Sequence, residues 1–262
     1  MVYNNKLRKE IAWMIRNGKE GHIPSAYSIV DMVAYLYKEV LNFDPKNSKW
    51  DGRDYFILSK GHGCAALYAV LKKYGVINQK DIEEKTSEYS ILGGHPDRCK
   101  VPGVEASTGS LGHGIGMALG IALGLKIMSK SNKVICLIGD GESNEGTIWE
   151  SALVAANHKL GNLCVIVDDN GSADLVLPVS NPQEKWKAFG WNAISINGHD
   201  MNEFKAALES IEFKHNSSPN VIIATTKKGK GVDFMEKDFN YWHGKIPTGE
   251  ELQNIYDALD KE

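Results

Sequence analysis

The chain has 262 residues, 42% of them hydrophobic, and a formal net charge of -3 at pH 7. That length and apolar content suit a single α/β domain over residues 1–262. A nearly neutral chain with no basic run interleaved with aromatics excludes nucleic acid and anionic membranes as expected partners and favours small-molecule chemistry.

The first residues, MVYNNKLRKE, are polar and helix-like, unlike a signal peptide, so the mature protein is expected to begin there. Leu7, Ile11, Met14 and Ile15 mark a helical stripe. A second helix is predicted from Ser28 to Val40, with Ser28 and Asp31 spaced as a capping pair. Tyr55–Leu58 reads as a short strand; after SKGHG, Cys64, Leu67, Tyr68 and Leu71 repeat at helical spacing up to Gly75. Leu111 to Met128 has the length of a membrane span, but His113, Lys126 and its many glycines argue against one. Gly112, Gly116, Gly120 and Gly124 recur every four residues there, which predicts a tight helix contact in the core or at a subunit interface.

Beyond that point strands and helices alternate. Strands are predicted at Val134–Ile138, Leu163–Val167, Asn192–Ile196 and Val221–Thr225, with helices near Ile148–His158, Gln183–Phe189 and Asn202–Glu209. The expected fold is a doubly wound, mostly parallel α/β sheet flanked by helices. Cys64, Cys99, Cys136 and Cys164 show no CxxC spacing and read as reduced thiols of a cytoplasmic protein.

In such a sheet, ligands bind beyond the carboxyl ends of the strands. VICLIGDGESNEG, Val134 to Gly146, runs from a buried strand into Asp140 flanked by Gly139 and Gly141, and Thr147 and Glu150 have capping-box spacing for the next helix. The lysine and Ser/Thr of a P-loop are absent, and so is a GxGxxG turn. One helix and one strand later comes VDDNG, ending at Asn170 and Gly171. Carboxylate and amide oxygens at neighbouring strand ends suit Mg²⁺ or Ca²⁺ bridging a diphosphate. The plainer alternative has Asp140 capping a helix and Asn170 in a left-handed turn.

GDG followed at this distance by Asn resembles the thiamine diphosphate motif, and the wider pattern resembles the N-terminal half of transketolase. SKGHG, GGHP, GVEASTGSLGHGIG, GDGESNEG, DDNG, KAFGW, NGHD, KKGKGVDFME and WHGKIPTGEE follow in the family's order. The match is closest to the split form, in which the diphosphate-binding domain is a separate polypeptide. The resemblance implies that Asp140, Asn170 and the backbone carbonyl of Ser172 ligate the metal, with Gly139, Gly141 and His62 at the diphosphate. It places Gly109, Ser110 and Leu111 at the aminopyrimidine and thiazolium, and Glu145 facing the catalytic glutamate of a partner domain. His22, His95 and His243 would handle ketose hydroxyls, His243 also lying near the diphosphate.

The implied reaction is transfer of a two-carbon ketol unit between sugar phosphates or activated sugars, in an α2β2 assembly with a subunit carrying the pyrimidine-binding domain. GHIP, KGHG, GGHP and WHGK look like loop ends where imidazoles can meet phosphate or sugar hydroxyls. His113, His158, His199 and His215 are read as structural, and the Lys227, Lys228 and Lys230 cluster reads either as a phosphate clamp or as a solvated turn. Two departures from the family bear on substrate: GHIPSAYS at 21–28, and SADLVLP after DNG, with Asp174 where an apolar residue is expected. Another thiamine enzyme, such as a deoxyxylulose-phosphate synthase or a 2-oxo acid dehydrogenase α subunit, and a non-catalytic scaffold remain the competing readings.

Overall fold

The structure is a computed structural model that describes residues 4–175 and 177–261. Its helices are α1 (Asn5–Gly18), α2 (Ile23–Tyr27), α3 (Val30–Tyr35), α4 (Cys64–Lys73), α5 (Gln79–Glu83), α6 (Gly114–Ile127), α7 (Gly146–Asn157), α8 (Pro182–Ala188), α9 (Met201–Glu209), α10 (Asp233–Lys237), α11 (Phe239–Trp242) and α12 (Gly249–Leu259). The strands are β1 (Tyr55–Leu58), β2 (Val134–Gly139), β3 (Leu163–Asp169), β4 (Asn192–Asn197) and β5 (Asn220–Thr225). They form one sheet in the order β1-β2-β3-β5-β4, every pair parallel.

Strands β2, β3 and β5 are unbroken apolar runs because helices cover both faces. Alternate residues supply two separate cores. Ile135, Leu137, Ile166 and Ile222 pack with α1 to α4, α9 and α12, whereas Val134, Ile138, Val165 and Ile223 pack with α6, α7 and α8. Each such fully buried side chain stabilises the fold by roughly 1.5–3 kcal/mol. Edge strand β4 buries only Ile196 and carries Asn192, Ser195 and Asn197.

The predicted helix over 28–40 is broken. Ile23 to Tyr27 already form the buried helix α2, and α3 passes at Leu36 into a π-helical turn ending at Val40. Ser28 and Asp31 do not form a capping pair. The Ser28 hydroxyl donates to Asp168 at 2.8 Å, and Asp31 accepts from Arg8 at 2.5 Å, so distant partners outcompete the local cap. Thr147 makes no cap either; α7 starts with Glu145 in the capping position. Nor does the glycine stripe make one continuous contact: Gly112 lies in the loop before α6, while a Cβ at Gly120 or Gly124 would meet nothing within 4 Å. No helix among the described residues is long and apolar enough to cross a membrane.

Candidate functional site

The carboxyl ends of β1, β2, β3 and β5 meet around Asp168, which is 0% exposed. Register sets it opposite Gly139 on β2 and Ala224 on β5. Its carboxylate accepts from Lys60 Nζ at 2.5 Å, Thr226 Oγ1 at 2.5 Å, Ser28 Oγ at 2.8 Å and Asn170 Nδ2 at 2.8 Å. Burial alone would push the Asp168 carboxyl up, but Lys60 and the hydroxyl donors hold it below the usual range. Lys60, 1% exposed, also donates to the Ser25 carbonyl at 3.2 Å.

Asp140 and Asn170 emerge from adjacent strand ends, as the spacing predicts. Asp140 accepts from the backbone N–H of Gly141 at 2.8 Å and of Ala173 at 3.0 Å. Because Asn170 gives its Nδ2 to Asp168, its Oδ1 faces Ser172, accepting from the Ser172 backbone N–H at 3.2 Å and from the Ser172 hydroxyl. That hydroxyl also lies 3.4 Å from Asp140 Oδ1 and accepts from Lys228 Nζ at 3.1 Å. A carboxylate oxygen and an amide oxygen thus flank a single atom, a spacing and chemistry that suit a hard divalent cation. The fit extends to an anion. Ser25 Oγ is buried without a partner, and Lys228 is buried beside Ser172. Desolvation, reinforced by Lys60, pushes the Lys228 ammonium down to about 8.

Three histidines close the site. The ring of His22 lies 5.4 Å from that of His62 and 4.7 Å from that of His243. Burial lowers all three, with His62 brought to about 2 and His243 to about 4, and neighbouring Lys60 and Lys228 act in the same direction. They are neutral at pH 7. His22 Nδ1 is 2.7 Å from the His243 carbonyl, which only accepts, so Nδ1 carries the proton and Nε2 offers a lone pair.

A model of the transketolase thiamine diphosphate binding domain matches residues 4–259. The chain belongs to the transketolase thiamine diphosphate-binding domain family. It is similar to the apulose-4-phosphate transketolase subunits A of Phocaeicola vulgatus, 36% identical over 96% of this chain and 90% of that protein, and of Actinobacillus succinogenes, 38% identical over 98% and 94%. A 6-deoxy-6-sulfo-D-fructose transketolase subunit of a Clostridium species is 37% identical over 82% of this chain and 80% of its own length. Among solved structures, transketolase from Leishmania mexicana superposes with a TM-score of 0.89 at 28% identity, and that from Campylobacter jejuni with 0.88 at 30%. The chain covers 99% and 98% of itself in these matches but only 42% of either solved transketolase. It is the N-terminal, cofactor-binding part of a transketolase, in the length class of the separate A subunits, and the resemblance read from the motifs is borne out.

The other positions nominated by the motifs lie on segment 95–111 and at the start of α7. The His95 ring packs on Gly109, where a Cβ would come within 2.9 Å of it. Ser110 Oγ is 3.2 Å from His113 Nδ1, Leu111 is half-buried, and Glu145 is exposed beside Gly112. For Ser172 the hydroxyl and N–H reach Asn170, whereas the motif named its carbonyl. The lysine cluster divides: Lys228 is in the site, and Lys227 is exposed and faces Glu236. His199 accepts the Lys227 N–H at 2.8 Å and His215 meets the Lys130 carbonyl at 2.8 Å, matching their structural reading. Sequence reasoning missed Ser25, Ser28, Lys60, Asp168 and Thr226. A charge at the end of a buried strand (Asp168) and a lysine inside SKGHG (Lys60) are legible as a paired set; the orphan hydroxyl of Ser25 has no such signal.

Proposed function

We propose that residues 1–262 act as one diphosphate-binding domain, the N-terminal subunit of a two-chain transketolase. With a subunit carrying the pyrimidine-binding domain, it moves a two-carbon ketol unit from a ketose phosphate donor to an aldose or another aldehyde acceptor. The observation that carries this reading is the convergence of Asp140, Asn170 and Ser172 beneath Lys228 and three neutral histidines.

Thiamine diphosphate, when bound, supplies the electron sink for carbon–carbon bond cleavage. Asp140, Asn170 and Ser172 would hold Mg²⁺ or Ca²⁺, while Lys60, Lys228, His62, His243 and the Ser25 hydroxyl, with Gly139 and Gly141, would receive the diphosphate. Gly109, Ser110 and Leu111 form the wall at the ring end. His22, through its free Nε2, accepts a proton from a substrate hydroxyl, and His95 and His243 orient its neighbours. Glu145 is exposed at the start of α7, available to the partner domain.

Exposed Met117, Ile127, Met128, Leu153 and Val154 on or beside α6 and α7, together with the open space over Gly120 and Gly124, support burial of this face in an α2β2 assembly. The four free cysteines support a cytoplasmic setting. The substrates named for the relatives support a specialised sugar, with exposed Asp174 as the determinant in this chain. A donor and acceptor screen of the assembled complex, using xylulose 5-phosphate and ribose 5-phosphate as the reference pair, tests the function. Two-carbon transfer to some aldehyde is expected, and no transfer from any ketose would contradict it.

A further inference from the structure

Glu142 lies on the short 3-10 turn after Asp140 and is 2% exposed. Its Oε1 accepts from Ser59 Oγ at 2.5 Å and from the Gly112 backbone N–H at 2.8 Å, and its Oε2 accepts from the Gly139 N–H at 3.1 Å. These donors sit on three different segments. Ser59 follows β1 and precedes Lys60; Gly139 ends β2; Gly112 belongs to the loop 109–113, of which the family resemblance assigns Gly109, Ser110 and Leu111 to the cofactor rings.

That loop sits where only a tight fit works. Gly112 has φ +81°, and a Cβ there would strike Thr147 Oγ1 and come within 2.7 Å of Glu145 Cβ. A Cβ on Gly61 would come within 2.9 Å of the Gly109 nitrogen. The loop therefore lies backbone to backbone on the SKGHG turn at Gly61 and against the Glu145 and Thr147 side chains at the start of α7, and Gly112 has no side chain of its own to anchor it. Glu142 is what pairs the buried Gly112 N–H.

We propose that Glu142 is a positioning residue whose carboxylate latches loop 109–113 to the ends of β1 and β2 and thereby sets the affinity for thiamine diphosphate; this rests on the cofactor reading above. Both carboxylate oxygens are taken by donors of the chain, so Glu142 acts through the loop and not on a ligand. Three donors demand a group that only accepts. In a glutamine one oxygen becomes NH₂, and whichever way the amide turns, a donor faces the N–H of Gly112 or of Gly139. The loop then spends part of its time unlatched, and apparent affinity falls with the competent fraction.

Two measurements test this on Glu142→Gln. In the full 262-residue chain without cofactor, hydrogen exchange of peptides covering Gly112 should speed up about ten- to hundredfold, the size expected for one opposed buried donor, while β2 and β3 stay protected. In the complex with the pyrimidine-domain partner, the half-saturating thiamine diphosphate concentration should rise by about the same factor, with turnover recovered at saturating cofactor. Should the glutamine variant fail to fold, Ser59→Ala removes one latch bond and should raise the half-saturating concentration about two- to tenfold. Unchanged exchange at Gly112, or faster exchange with unchanged cofactor affinity, would overturn the inference, as would turnover lost at saturating cofactor with affinity intact. If the unsubstituted complex bound no thiamine diphosphate while the exchange difference persisted, the cofactor reading would fall and the affinity claim with it.

Discussion

Asn170 donates its Nδ2 to Asp168 at 2.8 Å, and this one bond aims Asn170 Oδ1 at Ser172, whose hydroxyl lies 3.4 Å from Asp140 Oδ1. Asp168 is buried and ion-paired, so it only accepts, and the asparagine amide has one orientation open to it. The residue that orients Asn170 Oδ1 thus touches none of the proposed ligand atoms itself.

Asp168→Asn should therefore be costly twice over. It leaves Lys60 buried without its counter-charge, which typically destabilises a fold by about 3–5 kcal/mol, and it frees the Asn170 amide to turn. Urea denaturation of the chain should show the loss. A midpoint within experimental error of the parent would mean that the Lys60–Asp168 pair does not hold these strand ends together.

Asp140→Ala removes a proposed metal ligand along with two backbone hydrogen bonds, to Gly141 and Ala173. The structural part should cost about 1–3 kcal/mol, because one freed donor, the Ala173 N–H, is buried. The functional part is larger: Mg²⁺-dependent thiamine diphosphate binding by the assembled complex should become undetectable by calorimetry. Retained affinity would remove Asp140 from the metal site.

The two segments that depart from the family should behave differently. Residues 23–27 are all buried, Tyr27 Oη donates to the Arg8 carbonyl at 2.6 Å, and Pro24 accepts the Gly229 N–H at 3.0 Å. Tyr27→Phe should lower stability by about 1 kcal/mol and leave the preference among acceptors unchanged. Asp174 is exposed near the site, and Asp174→Leu should change the ratio of efficiencies between acceptors in a competition assay. If Tyr27→Phe shifted that ratio and Asp174→Leu did not, substrate selection would lie in α2.

Histidine burial sets an acid limit. His62 and His199 have folded values lowered to about 2 and about 4, mainly by desolvation, against 6.5 in the unfolded chain. Below pH 6.5 the unfolded chain takes up protons that the folded chain refuses. Stability should be full above that value and fall as pH drops from 6.5 toward 4. Urea midpoints between pH 7.5 and 4.5 should decline, and His199→Gln should flatten the decline. A flat parent profile would show that these imidazoles are charged in the folded protein.

Much of this was legible in the sequence because it depends on local composition. Strands β2, β3 and β5 read correctly to within two residues, since being covered on both faces forces continuous apolar runs. Asp140 and Asn170 could be paired because one helix plus one strand fixes the distance between neighbouring strand ends. What escaped depends on long-range partners. Ser28 and Asp31 look like a cap until Asp168 and Arg8, far along the chain, claim their side chains. Glu142 looks like one more polar residue in GDGESNEG until Gly112 folds over it.

On the proposed function, this chain forms only part of an active site. The most direct test measures two-carbon transfer by the purified chain, by a partner carrying the pyrimidine-binding domain, and by their mixture, with mass followed by light scattering. Neither chain alone should turn over, and the mixture should, at a mass near two copies of each. Transfer by the 262-residue chain alone at the rate of the mixture would contradict the account.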